Sequence, residues 1–93
     1  MKAILDGETI ATSDDTVSVR GYDYFPIASA RMDRLEKSPR TPKDLECPHG
    51  VQFYDVVVGG KRHPRNAWIY ERPQPAMQAV SDRVGFWEDV KVG

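Results

Sequence analysis

The stretch from Val51 to Val58, VQFYDVVV, followed by Gly59-Gly60, constrains the fold more than any other part of the chain. It is the strongest strand signal present. Its end, Val56-Val57-Val58, is apolar on both faces, which predicts a central position in a sheet. Gly59-Gly60 predicts a tight hairpin, because glycine reaches the positive φ that a two-residue type I′ turn requires. Just upstream stands Cys47-Pro48-His49-Gly50, holding the one cysteine of the chain and one of its two histidines. It is either the turn that feeds this strand or a place where chemistry is done.

The first third also reads as sheet. Lys2 to Leu5 and Glu8 to Thr12 flank Asp6-Gly7, a second hairpin dipeptide. Ser13-Asp14-Asp15 is a polar turn, and Thr16 to Arg20 alternates β-branched with polar residues. Gly21 punctuates, and Tyr22 to Phe25 continues extended toward Pro26, which suits the first position of a helical turn over Ile27-Ala28-Ser29. Ala30 to Leu35 fits strand or helix and is read as strand. Glu36 to Glu46, rich in proline and charge, is read as an exposed loop. Lys61 to Asn66 is read as a basic connector and Ala67 to Tyr70 as extended. Pro75 to Asp82 carries Met77 and Val80 at helical spacing, predicting one or two helical turns. Val84 to Trp87 and Val90 to Val92 close the chain as short strands. Many short strands with brief helices predict a mainly β, single-domain chain over residues 1–93.

Charge narrows the partners. Thirteen basic side chains against fourteen acidic ones leave a net charge of −1, with no global pull toward nucleic acid or anionic lipid. A single cysteine forms no internal disulfide and no paired-cysteine zinc cage. The apolar run at the N-terminus is too short for a signal peptide or membrane span. The expectation is a cytoplasmic protein in a reducing compartment.

Four local patterns bear on chemistry. Cys47 with His49 two residues away is a candidate thiol nucleophile and base, set against a packed loop cysteine. Cys47, His49 and His63 are three metal-ligand types, but their spacing matches no zinc pattern, so no metal is assigned, and His63 is read as a solvated loop residue. Gly59-Gly60-Lys61 lacks the glycine spacing, hydroxyl residue and following helix of a phosphate loop. Lys61-Arg62-His63-Pro64-Arg65, with Arg72 beyond, is a local basic cluster that suits a small anion more than a nucleic-acid backbone. The aromatics are more suggestive. Phe53 and Phe86 are read as core. Tyr24, Tyr54, Trp68 and Tyr70 are candidate walls of a pocket, since their polar tips want a partner.

Met1-Lys2-Ala3-Ile4, Ser13-Asp14-Asp15-Thr16-Val17, Tyr24-Phe25-Pro26, Arg31-Met32, Cys47-Pro48, Tyr54, Ala67-Trp68-Ile69-Tyr70 and Phe86 fall in the order of domain-of-unknown-function family 427. The resemblance covers essentially the whole chain. It implies a β-tent fold, two small antiparallel sheets meeting at an angle. Other β-tent domains include methionine sulfoxide reductases, which do thiol chemistry, and the cereblon domain that holds a small ring in a tryptophan cage. Many relatives are tied by zinc on paired cysteines, which a one-cysteine chain lacks. Family members often place a lysine between Cys-Pro and the glycine, where this chain runs directly from His49 to Gly50. The family is in places labelled nucleotidyltransferase-like. Such enzymes need closely spaced carboxylates for magnesium beside a phosphate cradle, and Asp14-Asp15 falls in a hairpin turn without one.

The resulting expectation is a small-ligand domain, with or without a reaction. Its pocket is lined by Tyr24, Tyr54, Trp68 and Tyr70, with Cys47 and His49 as a further wall and Arg31 as the charge that fixes an anionic or carbonyl-bearing ligand. No cofactor is assigned. Two alternatives stay open. One is a face that docks a peptide or an identical subunit, and the other is a thiol enzyme using Cys47 and His49.

Overall fold

Two-residue turns set the architecture of the computed structural model, which describes residues 1–93. Asp6-Gly7 and Gly59-Gly60 take positive φ at both positions, 49° and 79° in one and 57° and 78° in the other. Their twist matches that of the strands they join. The first links β1 (Lys2–Leu5) to β2 (Glu8–Thr12), and the second links β6 (Val51–Val58) to β7 (Lys61–Tyr70). Arg20-Gly21, with φ of 53° and 86°, is a third such turn. It joins β3 (Val17–Val19) to β4 (Tyr22–Pro26).

Three further strands, β5 (Leu35–Lys37), β8 (Arg83–Phe86) and β9 (Lys91–Val92), complete two antiparallel sheets. The small sheet runs β2-β1-β9 and the large one β3-β4-β8-β7-β6-β5. The chain is therefore mainly β, as expected. β6 lies one strand in from an edge, covered outside by three-residue β5.

Alternation along the large sheet sorts side chains onto two faces. Phe25, Tyr54, Val56, Ala67, Ile69, Val84 and Phe86 join Leu5 and Ile10 of the small sheet in the main core. Burying Leu5, Ile10, Phe25, Val56 and Val84, all under 2% exposed or at about that level, contributes about 1.5–3 kcal/mol each. The opposite face gathers Tyr24, Val51, Trp68, Met77 and Val80, with Phe53, Tyr70 and Trp87 partly buried against them. Met77 and Val80 reach it from the 3₁₀ segment Pro75–Val80, as their helical spacing predicts.

Three segments depart from the sequence reading. Ala30 to Leu35 is not a strand. Ala30 makes one bridge to Ala11, Met32–Arg34 forms a 3₁₀ turn, and Leu35 begins β5. Glu36 to Glu46 is not simply an exposed loop. It holds the end of β5 and a helical turn, α1 (Pro42–Leu45), whose Thr41 cap and Asp44 close a capping box. Asp44 is buried, and the Arg65 guanidinium donates to both its oxygens at 3.0 Å.

Lys61 to Asn66 is the first half of β7, not a connector. Between the Tyr54–Ala67 and Val56–His63 pairs, three residues of β7 oppose one of β6. Pro64, which lacks an amide hydrogen, is accommodated in this bulge, and Arg65 takes a φ of 58°. His63 is accordingly buried rather than solvated. Its Nδ1 lies 2.9 Å from Asp89 and its Nε2 3.0 Å from Asp6, so the ring clips the first hairpin and the segment before β9 to the large sheet.

Candidate functional site

Residues two apart on a strand share a face, and residues directly paired across strands share it too. Tyr22 and Tyr24 on β4, Trp68 and Tyr70 on β7, and Phe53, paired with Trp68 from β6, therefore converge. They wall a cavity of about 240 Å³ that Met77, Trp87, His49 and Arg20 complete.

Trp68 is its floor, 4% exposed. Tyr22 meets its ring edge-on at 5.1 Å and Tyr24 at 5.8 Å, while Trp87 crosses it at 5.5 Å. Such edge-to-face contacts favour a fixed arrangement over a fluid one. Gly85, paired with both Tyr24 and Trp68, makes room for the indole. A Cβ there would stand 2.7 Å from Trp68 Cζ2. Trp87 is held from behind by its Nε1 hydrogen bond to the Arg65 carbonyl, and it stacks on Phe53 at 6.0 Å. The Arg65 guanidinium lies 4.0 Å over the Phe53 ring. The β6–β7 bulge thus braces one wall of the pocket.

The polar groups at the cavity are donors or neutral phenols. The buried Trp68 N–H has no hydrogen-bond partner. Such a group loses the interaction it had with water and gains none. Burial pushes the Tyr70 phenol up to about 12, with Tyr24 and Cys47 nearby adding to the effect. Burial raises Tyr24 as well, partly offset by the adjacent Trp68 and Tyr70 side chains. Neither relation brings the Trp68 N–H into hydrogen-bond geometry. Both phenols stay protonated at neutral pH. His49 Nδ1 accepts the Gln74 backbone N–H at 2.9 Å, which leaves the ring hydrogen on Nε2, and the ring meets Tyr70 edge-on at 5.6 Å.

Of the residues expected from sequence, Tyr24, His49, Trp68 and Tyr70 line this cavity. Tyr54 does not. One step along β6 from Phe53, it points into the main core, and Phe53, read as core, takes its place. Arg31 does not either, since it is exposed outside the large sheet and paired with Asp33 at 3.2 Å. Cys47 packs half-buried behind the aromatic cluster and makes no hydrogen bond with His49. Cys47-Pro48-His49-Gly50 forms the turn into β6. The Gly50 N–H bonds the Cys47 carbonyl at 3.1 Å, while the His49 and Gly50 carbonyls accept from Arg72 and Glu71. Gly50 has a φ of 66°, a conformation glycine adopts without penalty. His63 sits between Asp6 and Asp89, away from Cys47 and His49, so the three metal-ligand types are not brought together. Asp14 and Asp15 are exposed, and Asp15 pairs with Arg83 at 3.3 Å.

Sequence reasoning missed Arg20, Tyr22, Phe53, Met77 and Trp87. Counting back from Gly59-Gly60 sets Phe53 opposite Asn66, and the bulge moves its partner on by two residues to Trp68, on the same face. Arg20 sits in a turn whose favoured residues are asparagine, aspartate and glycine, which hides that turn from inspection.

No helix is long and apolar enough to cross a membrane. No curated protein matches the chain. The family model described as Domain of unknown function (DUF427) matches residues 1–93. The chain belongs to that family over its whole length.

Proposed function

We propose that this domain binds a small, flat organic ligand in the aromatic cavity between β4, β7 and the turn before β6. The observation that carries this reading is the convergence of six aromatic side chains, Tyr22, Tyr24, Phe53, Trp68, Tyr70 and Trp87, on one cavity. Apolar, aromatic-lined spaces with a few polar groups are where small molecules bind. At about 240 Å³ the space falls below the ~300–1,000 Å³ of sites for drug-sized molecules, so the ligand is of one-ring size. Binding is the function proposed. The phenols are held neutral, and His49 is engaged by Gln74 rather than by Cys47, so the arrangement supports recognition more than thiol catalysis.

A thermal-shift screen against a broad metabolite set, with Trp68→Ala and Trp68→Phe beside the wild type, tests this. Expected is a ligand that raises the wild-type melting temperature and loses its effect in both variants. A hit that stabilises all three proteins equally would place binding elsewhere. Absence of any hit, together with a melting temperature that rises with protein concentration, would favour self-association through exposed Tyr22 and its neighbours.

A further inference from the structure

The residues around the cavity differ sharply in charge. Arg20 stands at the mouth and no acidic side chain lines the space. Its guanidinium, like that of Arg72 away from the cavity, makes no ion pair and no side-chain hydrogen bond, whereas Arg31, Arg34, Arg40, Arg62, Arg65 and Arg83 are all paired with acids. Its nearest acidic neighbour on the adjoining strand, Asp23, is engaged by the Ser18 hydroxyl.

The backbone adds a second, independent observation. Arg20 holds a φ of 53° in a turn that asparagine or glycine would form at lower cost. Four other non-glycine residues, Asp6, Arg65, Asp82 and Glu88, share this conformation, and of the five only Arg20 lines the cavity. The His49 ring at the same cavity carries its hydrogen on Nε2, because Gln74 occupies Nδ1. The cavity thus offers a ring N–H, phenol hydroxyls and one unpaired cation around aromatic faces.

This chemistry separates two ligand classes that an aromatic cage can hold. An organic cation gains from ring faces, but here it would meet the Arg20 charge with no carboxylate to offset it. A planar anion stacks on the same rings and meets Arg20, whose planar fork matches a carboxylate with two parallel hydrogen bonds. Resting on the pocket reading above, we propose that the ligand is a small aromatic carboxylate or an equivalent planar monoanion. Its ring lies among Tyr22, Trp68 and Trp87, and its charged group faces Arg20.

Isothermal titration and tryptophan-fluorescence quenching with benzoate, benzamide and phenyltrimethylammonium test the class with three probes of similar ring and different charge. Expected is benzoate binding at least tenfold tighter than benzamide, with no binding of the cation. Arg20→Asn, which suits the turn, should bring benzoate to the benzamide level, and Arg20→Lys should recover part of the difference. Raising ionic strength should weaken benzoate alone. Equal binding of benzoate and benzamide, or preference for the cation, overturns the anion proposal and leaves the pocket reading standing. Failure of all three probes to bind, or binding unaffected by Trp68→Phe, removes the pocket reading and the proposal together.

Discussion

Gly85 offers the most direct test of how the pocket is built. Replacing it by alanine would set a methyl group 2.7 Å from Trp68 Cζ2 and 2.8 Å from Cε2, well inside contact distance. Those atoms belong to a buried ring hemmed by Tyr22, Tyr24 and Trp87, not to the free end of a flexible chain. Overpacking of this kind costs about 1–3 kcal/mol. Reduced freedom of the unfolded chain returns up to about 1 kcal/mol, leaving a net loss of about 1–2 kcal/mol. For a chain of this size that corresponds to a fall of roughly 5–15 °C in Tm.

Urea unfolding followed by circular dichroism measures this loss, with an unchanged m-value confirming that the folded and unfolded states are comparable. The decisive arm is a double-mutant cycle. In a Trp68→Phe background the outer indole ring is gone, and Gly85→Ala should cost under about 0.5 kcal/mol, giving a coupling of at least about 0.5 kcal/mol. An equal cost in both backgrounds would show that the strain lies in the backbone and refute the packing argument. The wild-type ligand response should fall in Gly85→Ala as the indole tilts, and recover in neither background.

The remaining predictions concern charge and turns. Asp44 is held at about 2, first by the Arg65 guanidinium and then by the Thr41 backbone N–H, against about 3.9 in the unfolded chain. Its contribution is fully present above about pH 4 and is lost as pH falls toward 2, worth about 1–2 kcal/mol after allowing for the partly exposed arginine. Asp44→Asn should remove that part of the acid limb in a pH series of urea midpoints, and an unchanged limb would contradict the assignment. Tyr70, raised to about 12, contributes stability present below about pH 10 that fades as pH rises toward 12. Tyr70→Phe should flatten that alkaline fall, measured by thermal melts at high pH, and an identical slope would refute it. His63→Ala removes the ring that joins Asp6 and Asp89 and should cost about 1–3 kcal/mol, whereas unchanged urea stability would show that the clip contributes nothing. Arg20→Asn should leave folding stability unchanged or raise it by up to about 1 kcal/mol, because it relieves a left-handed residue, and a clear loss would mean that Arg20 supports the turn after all.

Legibility of the chain followed the range of each physical effect. Asp6-Gly7 and Gly59-Gly60 announce their hairpins because the turn geometry is decided by the two residues themselves. Met77 and Val80 announce a helical face because their spacing is local. Thr41-Pro42-Lys43-Asp44 also carried a local signal, the capping box, masked by the charged and proline-rich surroundings. Pro64 misled because a proline ends a regular strand, yet a bulge lets the sheet continue through it. Tyr24, Trp68 and Tyr70, chosen for their polar-tipped rings, and His49 line the cavity, but Tyr54 and Phe53 exchange places. Counting from Gly59-Gly60 separates these neighbours, because the bulge shifts the register by two and keeps Phe53 on the Trp68 face; the choice of Tyr54 followed its polar tip instead of its parity. Arg31 was chosen for its charge, and its neighbour Asp33 neutralises it, whereas Arg20 is set free by a turn residue choice that looks unfavourable.

In the large sheet β4, β6 and β7 each divide their side chains between the main core and the cavity face. On β7, Ala67 and Ile69 belong to the main core, while Trp68 and Tyr70 belong to the cavity. On β4, Phe25 and Tyr24 divide in the same way. Selection can therefore act on alternate letters of one word. On the proposed ligand reading, substitutions at one parity would change what is recognised while residues at the other keep the domain folded, so that editing Tyr22, Tyr24, Phe53 and Tyr70 would recode specificity with their immediate neighbours untouched.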